Sequence, residues 1–556
     1  MRTFLVPAIA ILALWAAPLP LRAEPVARFS ELTYRASETA LPAEGRYRNP
    51  VLPGFHPDPS LVKVGDDFYL VTSTFGWFPG IPVFHSKDLV NWTLIGHAID
   101  RPGQLDLAGL NMVTDGVYAP AITWHEGTFY IFNTCVRCGE NFYVTATDPA
   151  GPWSDPVWVD FAGIDPSLFF DEDGSAWVIN NDLPEGGPQY EGHRALWVQR
   201  IDLATGAMTG PRTMVVDGGF DRSTQPIWAE GPHIFRKDGW YYINAAEGGT
   251  AEDHSQTIYR SRSITGPYQP GPTNPTLTQR DLPRPRPEPV EATGHADFVE
   301  LDDGSWWAVF LATRPFAEQL TLLGRETWLL PVSWEGEWPR VLAPGKPVPW
   351  EAVRPNLPAG ERADWSYWRE DFAGPLSGEW LQMRNPAPVQ WYLVDRERGE
   401  LVLFAGEEAA GSKGKPHVLA RRMRHPRAEW TTRLTFAPER EGDFAGLLAF
   451  ASEAGFLAAG IEQGSAGRRA VVRRRTADGD PVRGALLVEA PLAPGIGEVE
   501  LRLRIADGRA AVDIRPNGRG SWRTLLEEID VTRLASVHSG LFTGLTVGPY
   551  AVRAAR

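Results

Sequence analysis

Four residues at one place in an internal repeat have the chemistry of acid–base catalysts: Asp58, Asp165, Glu230 and His295. Each opens a copy of one pattern. A polar or small residue, often beside Pro, leads into an apolar strand, then a short acidic or Gly turn, then an aromatic strand. The copies run Asp58-Pro59-Ser60-Leu61 to Phe68-Tyr69, Tyr118-Ala119-Pro120-Ala121 to Phe129-Tyr130, and Asp165-Pro166-Ser167-Leu168 to Ala176-Trp177. Two more run Glu230-Gly231-Pro232-His233 to Trp240-Tyr241 and His295-Ala296-Asp297-Phe298 to Trp306-Trp307. Equivalent copies bring their first residues to one mouth. Three carboxylates gathered there repel one another, so folding alone gives little reason for them. A lone Asp-Pro merely initiates a turn, and the Asp-Gly acids between strands are hairpin chemistry. Three acids in one register, with a histidine in a fourth copy, point to a site. Pro59 and Pro166 are expected to hold the preceding Asp in extended backbone.

Paired carboxylates flanking a scissile bond perform glycoside hydrolysis, one protonating the leaving oxygen and the other acting as base or nucleophile. Glu230 has the longer reach and suits the acid, whereas a shorter Asp leaves room for a water and suits a base. A third, fixed negative charge raises the donor's pKa and keeps it protonated.

The elements that must position these groups are short strands. Further strand patterns between the copies, such as Val83-Phe84-His85-Ser86 and Ala195-Leu196-Trp197-Val198, supply about four strands per copy, the repeat of a β-propeller. The fold class is therefore all-β, a five-bladed propeller over residues 24–340. A Pro- and charge-rich linker follows over 341–364. Residues 365–556 carry alternating segments such as Trp430-Thr431-Thr432-Arg433-Leu434, which read as a β-sandwich of concanavalin-like type.

The 556 residues suffice for more than one core, and 43% apolar against 22% charged residues exclude a disordered chain. The net charge of −15 would repel a phosphate backbone, which disfavours nucleic acid as a partner. The 22 Trp outnumber the 14 Tyr; most are expected in cores, though flat rings also stack on sugars. Met1 to Ala23 has Arg2, an apolar run and a small-residue end at Leu21-Arg22-Ala23, the pattern of a signal peptide cleaved near Ala23. The run is shorter than the roughly 20 residues of a membrane span, so export to the periplasm or medium is expected, with no membrane in the mature form. Cys135 and Cys138, the two cysteines, suit a local disulfide better than a redox or zinc site.

These residues resemble glycoside hydrolase family 43, the β-xylosidases, α-L-arabinofuranosidases and arabinanases. The resemblance rests on Arg48-Asn49-Pro50 through Pro59-Ser60, Ser73-Thr74-Phe75-Gly76-Trp77-Phe78, Gly163-Ile164-Asp165-Pro166, Ala229-Glu230-Gly231-Pro232, Ala246-Glu247-Gly248-Gly249-Thr250, Gly294-His295-Ala296-Asp297 and Gly324-Arg325-Glu326-Thr327. It implies an inverting mechanism with Asp58 as general base, Glu230 as general acid, and Asp165 tuning Glu230 and orienting substrate. It also implies a sugar pocket lined by His295 and Arg325, with Phe75, Trp77 and Tyr118 as aromatic walls. By residue type alone Arg325 would be a salt-bridge partner, His295 a core histidine and the aromatics core. No cofactor is required; the resemblance allows a structural calcium held through water near His295, though no ligand string marks one. Where similar chains read Trp-Ala-Pro-Asp, this one reads Tyr118-Ala119-Pro120-Ala121, so an acid there is absent. Gly540-Leu541-Phe542-Thr543-Gly544 is similar to a sandwich segment that reaches over the pocket in the xylosidase branch, too short a match to assign Phe542 a contact. The loop from Cys135 to Asn141 is expected beside the mouth.

The expected function is an exo-acting pentosidase releasing xylose or arabinofuranose from xylo- or arabinoxylo-oligosaccharides. The alternatives are arabinofuranosidase as the main activity, a retaining β-fructosidase, and a non-catalytic sugar-binding propeller. Ile164 before Asp165 and Gly231 after Glu230 depart from the fructosidase pattern, and the retention of all three acids disfavours the binding module.

Overall fold

Each copy of the repeat folds as one antiparallel sheet, and five such sheets form the propeller; the computed structural model describes residues 25–36, 42–384 and 390–555. The expected leader lies outside the described residues. Blade one is Ser60–Val64, Asp67–Val71, Gly80–Ser86 and Thr93–Ile99, and blade three is Ile164–Phe170, Ala176–Asp182, Ala195–Asp202 and Ala207–Asp217. Blades two, four and five begin on Ala121–His125, Glu230–Lys237 and Glu291–Glu300. Sequential pairing follows from turn chemistry: Gly304 and Gly174 close three-residue loops at positive φ between paired strands, as hairpins of that length require. The ring closes between blades five and one. Asp297 of blade five accepts hydrogen bonds from Ser60 Oγ (2.8 Å) and Leu61 N–H (3.0 Å), and Asn49 exchanges two side-chain bonds with the backbone of Leu329, each 2.9 Å.

The sandwich consists of two eight-stranded sheets, and two of its strands come from unexpected places. Val26–Ala36 pairs with Glu400–Phe404, Arg427–Phe436 and Tyr367–Glu370. The boundary expected at residue 24 is corrected accordingly: the N-terminal strand belongs to the sandwich, and the propeller begins after it. The cause is the strand's alternation. Ala27, Phe29, Leu32, Tyr34 and Ala36 all face the sandwich core, where burying a large apolar side chain stabilises by roughly 1.5–3 kcal/mol. The second intruder is Trp77–Phe78, which leaves blade one to pair with Leu381–Met383 at the edge of the other sheet.

The linker is also held. Glu351–Val353 pairs with Arg46–Arg48, pinning the segment to the propeller. The two domains share a core in which Phe55, Phe75 and Trp77 pack with Leu381, Met383 and Phe450. Across it Arg384 forms a buried ion pair with Glu453 (2.5 Å), which also accepts from the Val113 N–H (3.1 Å).

Candidate active site

A cavity of about 510 Å3 opens where the first strands of the blades converge, and Asp58, Asp165, Glu230, His295 and Arg325 line it. The repeat thus brings together all three acids and the histidine, and Arg325 joins them from the turn before Glu326–Glu335. Three of them share a backbone device that differs from the expected extended geometry. Asp58, Asp165 and His295 have φ of 54°, 53° and 51°, a conformation that side-chain-bearing residues adopt at a cost of about 1–3 kcal/mol and that concentrates at functional sites. In blades three, four and five the strand pairing skips two residues at this place: Ile164/Ser167, Glu230/His233 and Gly294/Asp297. The skip aims side chains into the channel.

That register corrects one detail of the repeat. The residue equivalent to Asp165 and His295 in blade four is Gly231 (φ 55°), and Glu230 stands one position ahead of it. A Cβ on Gly231 would lie 2.6 Å from the His295 ring, so the imidazole fills the place a fourth side chain would take.

Asp58 is clamped. Arg325 Nη1 donates to its Oδ1 (2.8 Å) and Nη2 to its Oδ2 (3.4 Å), while Ser73 Oγ donates to Oδ2 (2.5 Å). Arg325 Nη1 also donates to Thr250 Oγ1 (3.0 Å). Charge-assisted bonds of this kind fix a carboxylate's orientation. Asp165 Oδ2 accepts from the Gly231 N–H (3.3 Å) and lies 3.7 Å from His295 Nε2. Burial alone would lower the His295 pKa; the Asp165 carboxylate beside it and the charge of Asp58 outweigh burial and raise the pKa to about 9, so the ring is cationic at neutral pH.

Glu230 is in the opposite situation. Protein surrounds it, yet its carboxyl keeps a face on the cavity. Burial first, and then the charge of Asp165, raise its pKa to about 8 against the opposing pull of His295 and Arg325. It is a protonated acid at neutral pH.

The aromatic walls divide. Phe75 and Tyr118 line the cavity, and Phe542 joins them from the sandwich. Phe75 stacks on Phe542 at 5.5 Å, Tyr118 lies 5.6 Å from Phe542, and the Arg325 guanidinium sits 5.3 Å from the Phe542 ring. Phe542 is held there by close backbone packing: a Cβ on Gly324 would lie 2.7 Å from the Gly544 nitrogen. Trp77 is corrected. It does not line the cavity; its fully buried ring packs edge-on against Phe450 (5.9 Å) between the domains. The expectation for the Cys135 loop is corrected as well. Cys135 and Cys138 form a disulfide, but none of residues 135–141 lines the cavity. Cys135 pairs with Val117 instead, so the loop braces the strand leading to Tyr118.

Among the described residues no group of three or more His, Cys, Asp or Glu could hold a metal ion. The void beneath the acids, lined by Ala121, Gly231 and His295 among others, is about 10 Å3, room for roughly one water. Sequence reasoning missed Ser73, Thr250 and Trp228. The first two lie inside motifs it had singled out, whereas nothing in the sequence marks Trp228.

A raised-pKa carboxylic acid and a clamped carboxylate in one pocket of a five-bladed propeller define a glycosidase site. The sequence model of glycosyl hydrolases family 43 matches residues 47–339, and that of the β-xylosidase C-terminal concanavalin A-like domain matches residues 369–556. A non-reducing end α-L-arabinofuranosidase from Bacteroides ovatus is 37% identical over 520 residues, 92% of each chain. A xylosidase/arabinosidase from Butyrivibrio fibrisolvens is 35% identical, covering 90% of this chain and 95% of its own. The crystal structure of a xylan β-1,4-xylosidase from Bacillus halodurans superposes with a TM-score of 0.83 at 32% identity, covering 91% of this chain and 96% of its own. This chain belongs to glycosyl hydrolases family 43 and is a glycoside hydrolase.

Proposed function

We propose that this enzyme is an exo-acting, inverting pentosidase that removes xylose or arabinofuranose from the non-reducing ends of xylan- and arabinoxylan-derived oligosaccharides. The observation that carries this reading is the contrast between Asp58 and Glu230 at the bottom of a pocket that Phe542 walls on one side. A pocket with one end closed takes a chain terminus. The terminal pentose lies against Phe75 and Phe542, with Arg325 within reach of its hydroxyls. Asp58 takes a proton from a water as the water attacks the anomeric carbon from the face opposite the leaving group. Glu230 gives its proton to the glycosidic oxygen as that bond breaks, and the leaving sugar departs as a neutral alcohol. Asp165 keeps Glu230 protonated until then, and His295 neutralises Asp165.

Xylose as the released sugar is supported by the xylosidases among the relatives, and arabinofuranose as the main one by the Bacteroides ovatus arabinofuranosidase. Digestion of xylobiose and of an arabinose-substituted xylo-oligosaccharide, each labelled at its reducing end, tests the reading. It predicts free pentose, with the label kept on a product one sugar shorter. Internal fragments, or no product from either substrate, would overturn it. Export is supported by the leader pattern of Met1 to Ala23 and by the Cys135–Cys138 disulfide, which suits an oxidising compartment. No helix among the described residues is long and apolar enough to cross a membrane. N-terminal sequencing of the mature protein should begin at Glu24.

A further inference from the structure

We infer that Trp228 is the platform for the leaving-group sugar and sets how strongly the enzyme prefers an oligosaccharide to a pentoside with a minimal leaving group. The inference rests on the glycosidase reading above and deepens it. The cavity has a gradient. At its floor Asp58, Asp165, His295 and Arg325 are buried, whereas Trp228 is half-buried and Ile227 is exposed at the rim. A cleaved sugar must leave through the rim, so the leaving group lies on that side of the scissile bond. Trp228 stands two residues before Glu230, whose proton goes to the oxygen between the two sugars.

The ring is also fixed in place. Trp228 has φ 53°, a conformation large side chains rarely adopt, and one that persists only where the surroundings impose it. The Trp228 N–H donates to the Gly192 carbonyl (2.8 Å), and the Ile227 carbonyl accepts from the Gly248 N–H (2.7 Å). A Cβ on Gly192 would meet the Ile227 side chain at 2.7 Å, so this loop is seated on glycine. The Arg194 guanidinium lies 4.1 Å from the Trp228 ring centroid. With one face covered by a cation and the residue lining the cavity, the ring is a pre-oriented apolar surface of the kind sugars stack on. It has no part in proton transfer, so its contribution belongs to binding of the second sugar in ground and transition state.

The test compares kcat/KM for xylobiose with that for β-xylosyl fluoride, and for an arabinofuranosyl-xylobiose with that for α-arabinofuranosyl fluoride. The fluorides place no sugar on the rim. In Trp228→Ala the oligosaccharide-to-fluoride ratio is expected to fall about tenfold or more, the size of one aromatic contact. In Trp228→Phe, which keeps a flat ring, the ratio should stay within about threefold of the wild type. A parallel loss on both substrates, as a purely structural Trp228 would give, or an unchanged ratio in Trp228→Ala, overturns the inference while leaving the function reading intact. Wild-type inactivity on all four substrates would instead sink the function reading and the inference with it.

Discussion

On the blade-one wall of the pocket Asp58 receives hydrogen bonds from Arg325 and Ser73; on the blade-four wall the half-buried Glu230 carboxyl takes no side-chain hydrogen bond among the described residues and faces the negative charge of Asp165. Under the proposed mechanism the same functional group takes opposite tasks from its neighbours. A carboxylate held by an arginine offers its remaining lone pairs in a fixed direction, as a base for water must. A largely desolvated carboxyl beside a negative charge holds its proton until a basic oxygen arrives. On that reading the arginine on one side and the acid on the other divide the roles, in line with the longer reach of Glu230.

The strongest way to break this comparison is at Asp58. Asp58→Asn removes the base without changing size and should lower kcat by about 10^4-fold, with an unchanged circular dichroism spectrum. Substantial residual hydrolysis would take the base role away from it. Glu230→Gln comes next: about 10^2–10^4-fold on xylobiose, but far less on a dinitrophenyl pentoside, whose leaving group needs little protonation. Equal losses on both substrates would contradict the acid role.

The third test sharpens the electrostatics. Glu230 is protonated below a pKa of about 8, so kcat/KM should hold at neutral pH and fall as pH rises through about 8. Asp165→Asn removes the nearest raising charge, and the basic limb should move to lower pH by about one unit. A limb that stays put would mean that burial alone tunes the acid. The smallest effect belongs to Ser73→Ala, which deletes one of the bonds holding Asp58. A net hydrogen bond of this kind corresponds to about a twofold to tenfold change, expected in kcat, with KM little altered. A change confined to KM would place Ser73 in substrate binding.

Much of this was legible in the chain because the repeat is local. Turn residues such as Asp303-Gly304 and the strands around them specify each blade without long-range information, and the repeat register carried Asp58, Asp165 and His295 into one channel. The offset of Glu230 arises in pairing, where the strand skips two residues, yet a trace of it exists: aligning Pro59, Pro166 and Pro232 puts Gly231, not Glu230, in register with the two aspartates. Other features had no local signature. The alternation of Val26–Ala36 marks a half-buried strand but not which sheet buries it, and the sheet lies about four hundred residues away at Arg427–Phe436. Trp77 sits in a motif with Phe75, and only the departure of Trp77–Phe78 into the sandwich edge separates a wall of the pocket from the core between domains. Phe542 reaches the pocket through the packing of Gly324 on Gly544, a contact between domains.

The measurement that bears most directly on the division of labour between Asp58 and Glu230 is time-resolved proton NMR of the wild-type enzyme acting on xylobiose and on an arabinofuranosyl-substituted xylo-oligosaccharide. An attacking water activated by Asp58 opposite the leaving group predicts that the first pentose formed has the inverted anomeric configuration, α-xylose from xylobiose or β-arabinose from the arabinofuranoside, before mutarotation. A first-formed pentose with the configuration of the bond that was cut would show that a carboxylate attacks the sugar itself, and would contradict the assignment of Asp58 as base.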